Sequence, residues 1–292
     1  MSTLNDLIAS IHTSLHSYSG TQEVVTWLTA PCTASDTTLT VASTDGVLRG
    51  LVEIEDELVY VSSSDTSTLT LPPFGRGYRG TTAVSHAASA QVTWDPQFPR
   101  AEVRRSIDQC IEGLFPQLYR IKSVDVTATG SGVGYSLPAD CEGVIEVKTK
   151  ITSDPSNYWE VLGRWGYDST SPEATGKTLN LYEPVCVGNT IRVVYRAKFG
   201  AFTAGTDTLA SVGLSESYAD LILYAVTSRM IRFMDPGRLT ATAVENLSRA
   251  GVVQVGDAAK IANQLYTMYQ QRLAEERARL LALTPPSMNF GR

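Results

Sequence analysis

Histidine and cysteine are scarce in this chain, with three and four residues respectively among 292. So few histidines leave little material for acid–base relays or imidazole-rich metal centres. The cysteines, Cys32, Cys110, Cys141 and Cys186, never approach C-x-x-C spacing. That excludes an evident zinc site or disulfide framework, and the thiols are expected to be small buried apolar groups in a reducing compartment. No stretch reaches the roughly 18 apolar residues that a membrane-spanning helix needs. The segment MSTLNDLIASIHTSL lacks the basic stretch of a secretory signal. Basic charge is also short: 24 Lys and Arg face 30 Asp and Glu, a net charge of −6. This disfavours a dedicated nucleic-acid binder, whose affinity comes from clustered cations on phosphates.

What the chain does contain is alternation between helical and strand blocks. Leu4, Leu7, Ile8, Ile11 and Leu15 recur at helical spacing, with Thr3 placed to cap the helix together with Asp6. From Val24 to Trp94, Ser and Thr are dense and β-branched residues alternate with polar ones, in TTLTV (37–41), LVEIEDELVYV (51–61) and STLTL (67–71). Turn residues bound each run, which predicts a small antiparallel sheet or barrel. Asp95-Pro96-Gln97-Phe98-Pro99 punctuates the chain, and a helix follows over about 100–121 with Val103, Ile107, Cys110, Ile111, Leu114 and Leu118 on one face. Six further strand candidates fill 124–202 and predict a sandwich or half-barrel. Helices are then expected over 215–233, over 241–250, and from Asp257 to about Leu283, where Glu275 and Arg279 form an i,i+4 pair.

Several chemical motifs fail on context. Gly176-Lys177-Thr178 ends like a phosphate-binding loop, but the first glycine is missing and a strand follows where a helix is required. His12 and His16 sit four apart on the first helix with no third ligand nearby, so they are expected at the core's edge. Gly130-Ser131-Gly132-Val133-Gly134 lies between strands and reads as a turn. Glu53 and Glu55 alternate with Val52 and Ile54, which predicts a solvated strand face in preference to a carboxylate pair for glycoside hydrolysis. Arg76, Arg79, Arg100, Arg104 and Arg105 are the densest basic positions, and with Tyr78 in a glycine-rich loop they suit a protein interface. No catalytic residue, cofactor or metal is expected.

Residues 50–94 resemble a β module that recurs in tailed-bacteriophage structural proteins. An "I-x-x-E-x-V-x-V" strand begins at Ile54, an "R-G-x-x-G-T-x-A-x-x-H" loop runs through Arg76, Gly77, Gly80, Thr81, Thr82, Ala83 and His86, and an "A-x-V" strand closes at Ala90 and Val92. Glycines at 75, 77 and 80 are expected to permit positive φ, and His86 to fasten the loop by one hydrogen bond. The Y-S-L-P-A-D strand start (135–140), the I-R-V-V-Y strand (191–195) and the Y-Q-Q-R-L-A-E-E-R-A helix (269–278) are similar to head-to-tail adaptors such as tail tubular protein A.

The element order α, β, α, β, ααα predicts an α+β fold: a discontinuous helical bundle (1–21, 97–122 and 206–283), in which the amphipathic helices bury their stripes together, carrying two antiparallel β modules (22–96 and 123–205). The resemblance adds the setting. It implies a homo-oligomeric ring, dodecameric, beneath the phage portal protein, contacting a tail or second neck protein, with DNA passing through the lumen without specific binding. The protein would reside in the virion neck after synthesis in the host cytoplasm, with no membrane contact. An extended tail, 284–292, would dock on portal or neighbour through Pro285, Pro286, Met288, Asn289, Phe290 and Arg292. A second interaction surface is assigned to Arg76, Tyr78 and Arg79. The competing reading is a baseplate or fibre component that binds carbohydrate through Tyr78, Tyr158, Trp159 and Trp165.

Overall fold

The computed structural model describes residues 2–17, 23–46, 49–130, 134–150, 158–171, 175–232 and 257–283. The helix expected over 241–250 and the tail 284–292 lie outside these residues, as do 131–133 of the glycine-rich turn.

Four helices stand among the described residues: α1 (Leu4–His16), α2 (Arg100–Gly113), α3 (Ala219–Arg232) and α4 (Asp257–Leu283). Thr3 caps α1 by a complete capping box: its hydroxyl accepts from the Asp6 amide at 3.2 Å, and the Asp6 carboxylate accepts from the Thr3 amide at 2.9 Å. The apolar stripe of α1 is fully buried, and α3 touches each of the other three helices. Val103, Ile107 and Ile111 of α2, Leu221, Ile222 and Val226 of α3, and Ala262, Leu265, Leu273 and Leu280 of α4 belong to the same core. Each large side chain so buried contributes about 1.5–3 kcal/mol relative to exposure. Helices distant in sequence thus share one hydrophobic centre, because none can cover its stripe alone.

On α4 the expected pairing of Glu275 with Arg279 is replaced by a network. Glu276, nearly buried, receives Arg272 at 3.0 Å and Arg279 at 4.0 Å, while Arg272 also reaches Glu275 at 2.9 Å. Met268 of α4 is 38% exposed, although its neighbours Leu265 and Leu273 are buried.

The first β region forms two antiparallel sheets. One has the order β1 (Val24–Trp27), β7 (Gln91–Trp94), β3 (Gly50–Ile54), β4 (Glu57–Val61); the other is β2 (Thr38–Thr40), β6 (Thr68–Thr70), β5 (Ser63–Asp65). SDTTLTV (35–41) and SDTSTLTL (64–71), alike in sequence, pair with each other, Leu39 opposite Leu69, and both leucines are buried. The second region also has two sheets. β8 (Arg120–Thr127), β14 (Thr190–Ala197), β10 (Gly143–Lys150) and β11 (Glu160–Val161) form the larger; β9 (Gly134–Ser136), β13 (Thr178–Leu181) and β12 (Trp165–Asp168) the smaller. One core joins the two sheets, with Tyr135, Leu179 and Leu181 meeting Val147, Ile191 and Val193. The fold is therefore α+β with antiparallel sheets throughout the described residues.

Candidate functional site

The loop that carries the phage-like motif is built around one buried carboxylate. Glu57 begins β4, and its side chain is fully buried against Arg76, whose side chain is 7% exposed. The guanidinium grips it bidentately, Nε to Oε1 at 2.8 Å and Nη2 to Oε2 at 2.9 Å. The Gly77 amide donates to Oε1 at 2.9 Å, the Val84 amide to Oε2 at 3.1 Å, and His86 Nε2 sits 2.9 Å from Oε2. Burial opposes ionisation of Glu57, but Arg76, the two amides and His86 outweigh it and hold the carboxyl down at about 2. Arg76 also donates to the carbonyls of Thr33, Asp36 and Val84, so its guanidinium ties the loop before β2 to its own loop.

His86 does more than the single expected hydrogen bond. Its Nδ1 faces Glu55 at 2.9 Å, and its backbone exchanges two hydrogen bonds with Cys32, both 3.0 Å. The motif's spacing now has a cause: strand glutamate, loop arginine and returning histidine are three parts of one clamp. Gly77 (φ 60°) and Gly80 (φ 79°) do hold positive φ. Gly75 does not; it is required because a Cβ there would stand 2.7 Å from the Tyr60 carbonyl oxygen.

Arg76 is thus consumed inside the loop, while Tyr78 and Arg79 remain at its surface. Tyr78 packs against Tyr60 at 5.3 Å between ring centroids, and Phe74 stacks on Tyr60 at 6.1 Å. Phe74 is 65% exposed, and sequence reasoning missed it; a phenylalanine directly after Pro72-Pro73 was the available signal. The Arg79 side chain, 58% exposed, reaches Glu102 of α2 only at 3.5 Å. Phe74, Tyr78 and Arg79 are of residue types enriched at protein interfaces.

A cleft of about 1370 Å³ separates the sheet face of β3 and β7 from α1 and α2. The β3–β4 turn crosses it: Asp56 takes Arg100 at 2.7 Å and Arg104 at 3.2 Å, and Arg104 also donates to the Thr203 carbonyl at 3.0 Å. Glu53, expected on a solvated strand face, is 8% exposed and accepts a hydrogen bond from the Arg100 amide at the start of α2. The face predicted from alternation was right as geometry, but the helix covers it. Burial pushes the Glu53 carboxyl up to about 7; the Arg100 amide and charge oppose this, while Glu23 and Asp56 add to it. His12 lines the same cleft beside His16 (ring centroids 5.9 Å), and burial lowers it to about 4. No group of three metal-ligating side chains occurs among the described residues.

Other candidates disperse. Trp165 is buried in the second β core, Trp159 lies under the cations of Lys150 and Arg192, and only Tyr158 is open, at 72%. With Tyr78 in the other β region, these aromatics form no common sugar platform. Cys32 and Cys141 are buried as expected, whereas Cys186 is exposed. Gly176-Lys177-Thr178 leads into β13, with Lys177 3.5 Å from Glu142. No described helix is long and apolar enough to cross a membrane.

No curated protein matches the chain. A family model does, that of the SU10 adaptor protein, over residues 81–286. The match starts within the clamp loop and takes in α2, the second β region, α3 and α4. Spanning more than two thirds of the sequence, it shows that this chain belongs to the SU10 adaptor protein family, a family of phage structural adaptors.

Proposed function

We propose that this protein is a head-to-tail adaptor whose copies form a ring, twelve in number, beneath the portal, joining the DNA-filled capsid to the tail. The family match over 81–286 is the observation that carries this reading. The chemistry of the loop agrees with it. Its buried ions are spent on holding a shape, and what it presents outward are contact residues, Phe74, Tyr78 and Arg79. A net charge of −6 suits a lumen through which DNA slides, since phosphates are repelled and not gripped.

The tail 284–292 would dock on the portal or on a neighbouring copy, with Met288 and Phe290 as apolar anchors. Deleting residues 284–292 tests this. The shortened protein is expected to fold as the full chain does, yet fail to join portal-containing heads in a reconstitution assay. Normal joining by the deletion variant rejects the docking role. Electron micrographs of joined particles test the wider reading: rings of twelve copies between capsid and tail are expected, and a location elsewhere in the particle overturns it.

A further inference from the structure

We infer that the two edges of the larger sheet in the second β region join copies head to tail, β11 of one copy adding to β8 of the next. This rests on the ring reading above and names the surface that builds the ring. On β8, the Ala128 amide donates to the Asn189 carbonyl at 2.8 Å, which sets the phase of the ladder with β14. Even-numbered residues therefore turn their backbone groups toward β14, and Ile121, Ser123, Asp125 and Thr127 turn theirs to the open edge. Among the described residues, none of those outward groups has a partner. On β11, the Leu162 amide donates to Val147 at 2.9 Å, so Trp159 and Val161 likewise face outward.

Both edges carry apolar side chains that a solitary edge strand would hide: Ile121 is 38% exposed, Val161 53% and Tyr158 72%. The edges also match each other. An antiparallel register with Val161 opposite Ile121 sets Glu160 opposite Lys122, Trp159 opposite Ser123 and Tyr158 opposite Val124. Outward backbone then meets outward backbone, apolar meets apolar, and a carboxylate meets an ammonium. Lys122 rests on Asp140 at 2.6 Å in the single copy, and its three donors allow it to keep that partner while taking Glu160.

Direction agrees as well. The order β11-β10-β14-β8 is antiparallel at each step, so β8 and β11 run oppositely. A rotation that preserves strand direction delivers the next β8 antiparallel to β11. Two unlike surfaces on one chain make a heterologous contact, the kind that closes into rings. Four strands per copy span about 19 Å, so twelve copies give a girdle of roughly 230 Å, wide enough to surround a DNA duplex.

The test uses the full chain carrying Lys122→Cys and Glu160→Cys, with the exposed native thiol removed by Cys186→Ser. On oxidation, a ladder of disulfide-linked multimers is expected, and none from either single cysteine variant. A companion variant, Ser123→Pro, removes an outward amide that the single copy does not use. It is expected to melt within a few degrees of the parent while losing multimers in native mass spectrometry. Only monomers from the double-cysteine chain, or equal linkage by Lys122→Cys alone, overturns the inference. Rings seen by microscopy without linkage leave the ring reading standing and remove this interface. Linked open chains that never close keep the interface and remove the ring.

Discussion

Arg76 and Glu57 carry the largest single interaction in the clamp, and its magnitude follows from burial. Removing one member of a buried ion pair strands the other charge without water, at about 3–5 kcal/mol. Arg76→Ala is therefore expected to destabilise the first β region by that order, read as a lowered urea midpoint. Arg76→Lys should recover little, because an ammonium cannot grip two carboxylate oxygens and three carbonyls at once. Gly77→Ala is expected to cost about 1–3 kcal/mol, since its Cβ would meet the Thr81 carbonyl oxygen at 2.9 Å with φ at 60°.

Glu53 gives the pH dependence its sign. Below about 4.5 it is protonated in folded and unfolded chains alike. Between about 4.5 and about 7 the unfolded chain releases a proton that the folded chain retains, so stability falls across that window. Glu57 acts in reverse: its contribution is present above about 4.5 and is lost as pH falls toward about 2. Glu53→Gln should flatten the loss between about pH 5 and about pH 8, measured by urea unfolding at each. An unchanged slope rejects the assignment to Glu53.

At the scale of elements, the β3–β4 turn is what fastens the first β region to α2. Its ion pairs are partly exposed, with Asp56 at 43% and Arg100 and Arg104 at 28% and 26%, so each is worth about 0.2–1 kcal/mol. Asp56→Ala should hardly move the global midpoint. It should raise hydrogen exchange at 50–60 and 97–105, where the turn and the helix start meet. Protection unchanged in both stretches would show that Glu53 and the core contacts hold the junction unaided. Legibility varied among elements for local reasons. α1 was readable to its capping box because the cap spans only Thr3 to Asp6 and the apolar stripe repeats every three to four residues. β12 was not, since Trp165-Gly166-Tyr167-Asp168 is only four residues long, two of them the strand-poor Gly and Asp, and it is set as a strand by pairing with β13.

The whole molecule brings together what the chain separates. α1 and α2 are about 80 residues apart and α3 about 100 further on, yet they fill one core with α4. The chain is acidic overall, and the proposed ring is expected to show weak affinity for duplex DNA. Gel-shift titration at physiological salt is expected to give no specific complex, and tight binding with a steep salt dependence would contradict the passive-lumen reading.

By itself, the sequence determined the helix stripes, the strand-rich regions, the scarcity of catalytic side chains and the Glu–Arg–Gly–His motif, because each is written in local spacing. The tertiary structure decided which charges are buried. Glu53 looks solvated by alternation until the start of α2 lies over it, and Arg76 looks like a contact residue until Glu57 claims it. It also decided that 35–41 would pair with 64–71, and which strand edges stay open. Burial and edge pairing are properties of what lies across the fold, and a one-dimensional pattern carries no record of that neighbour.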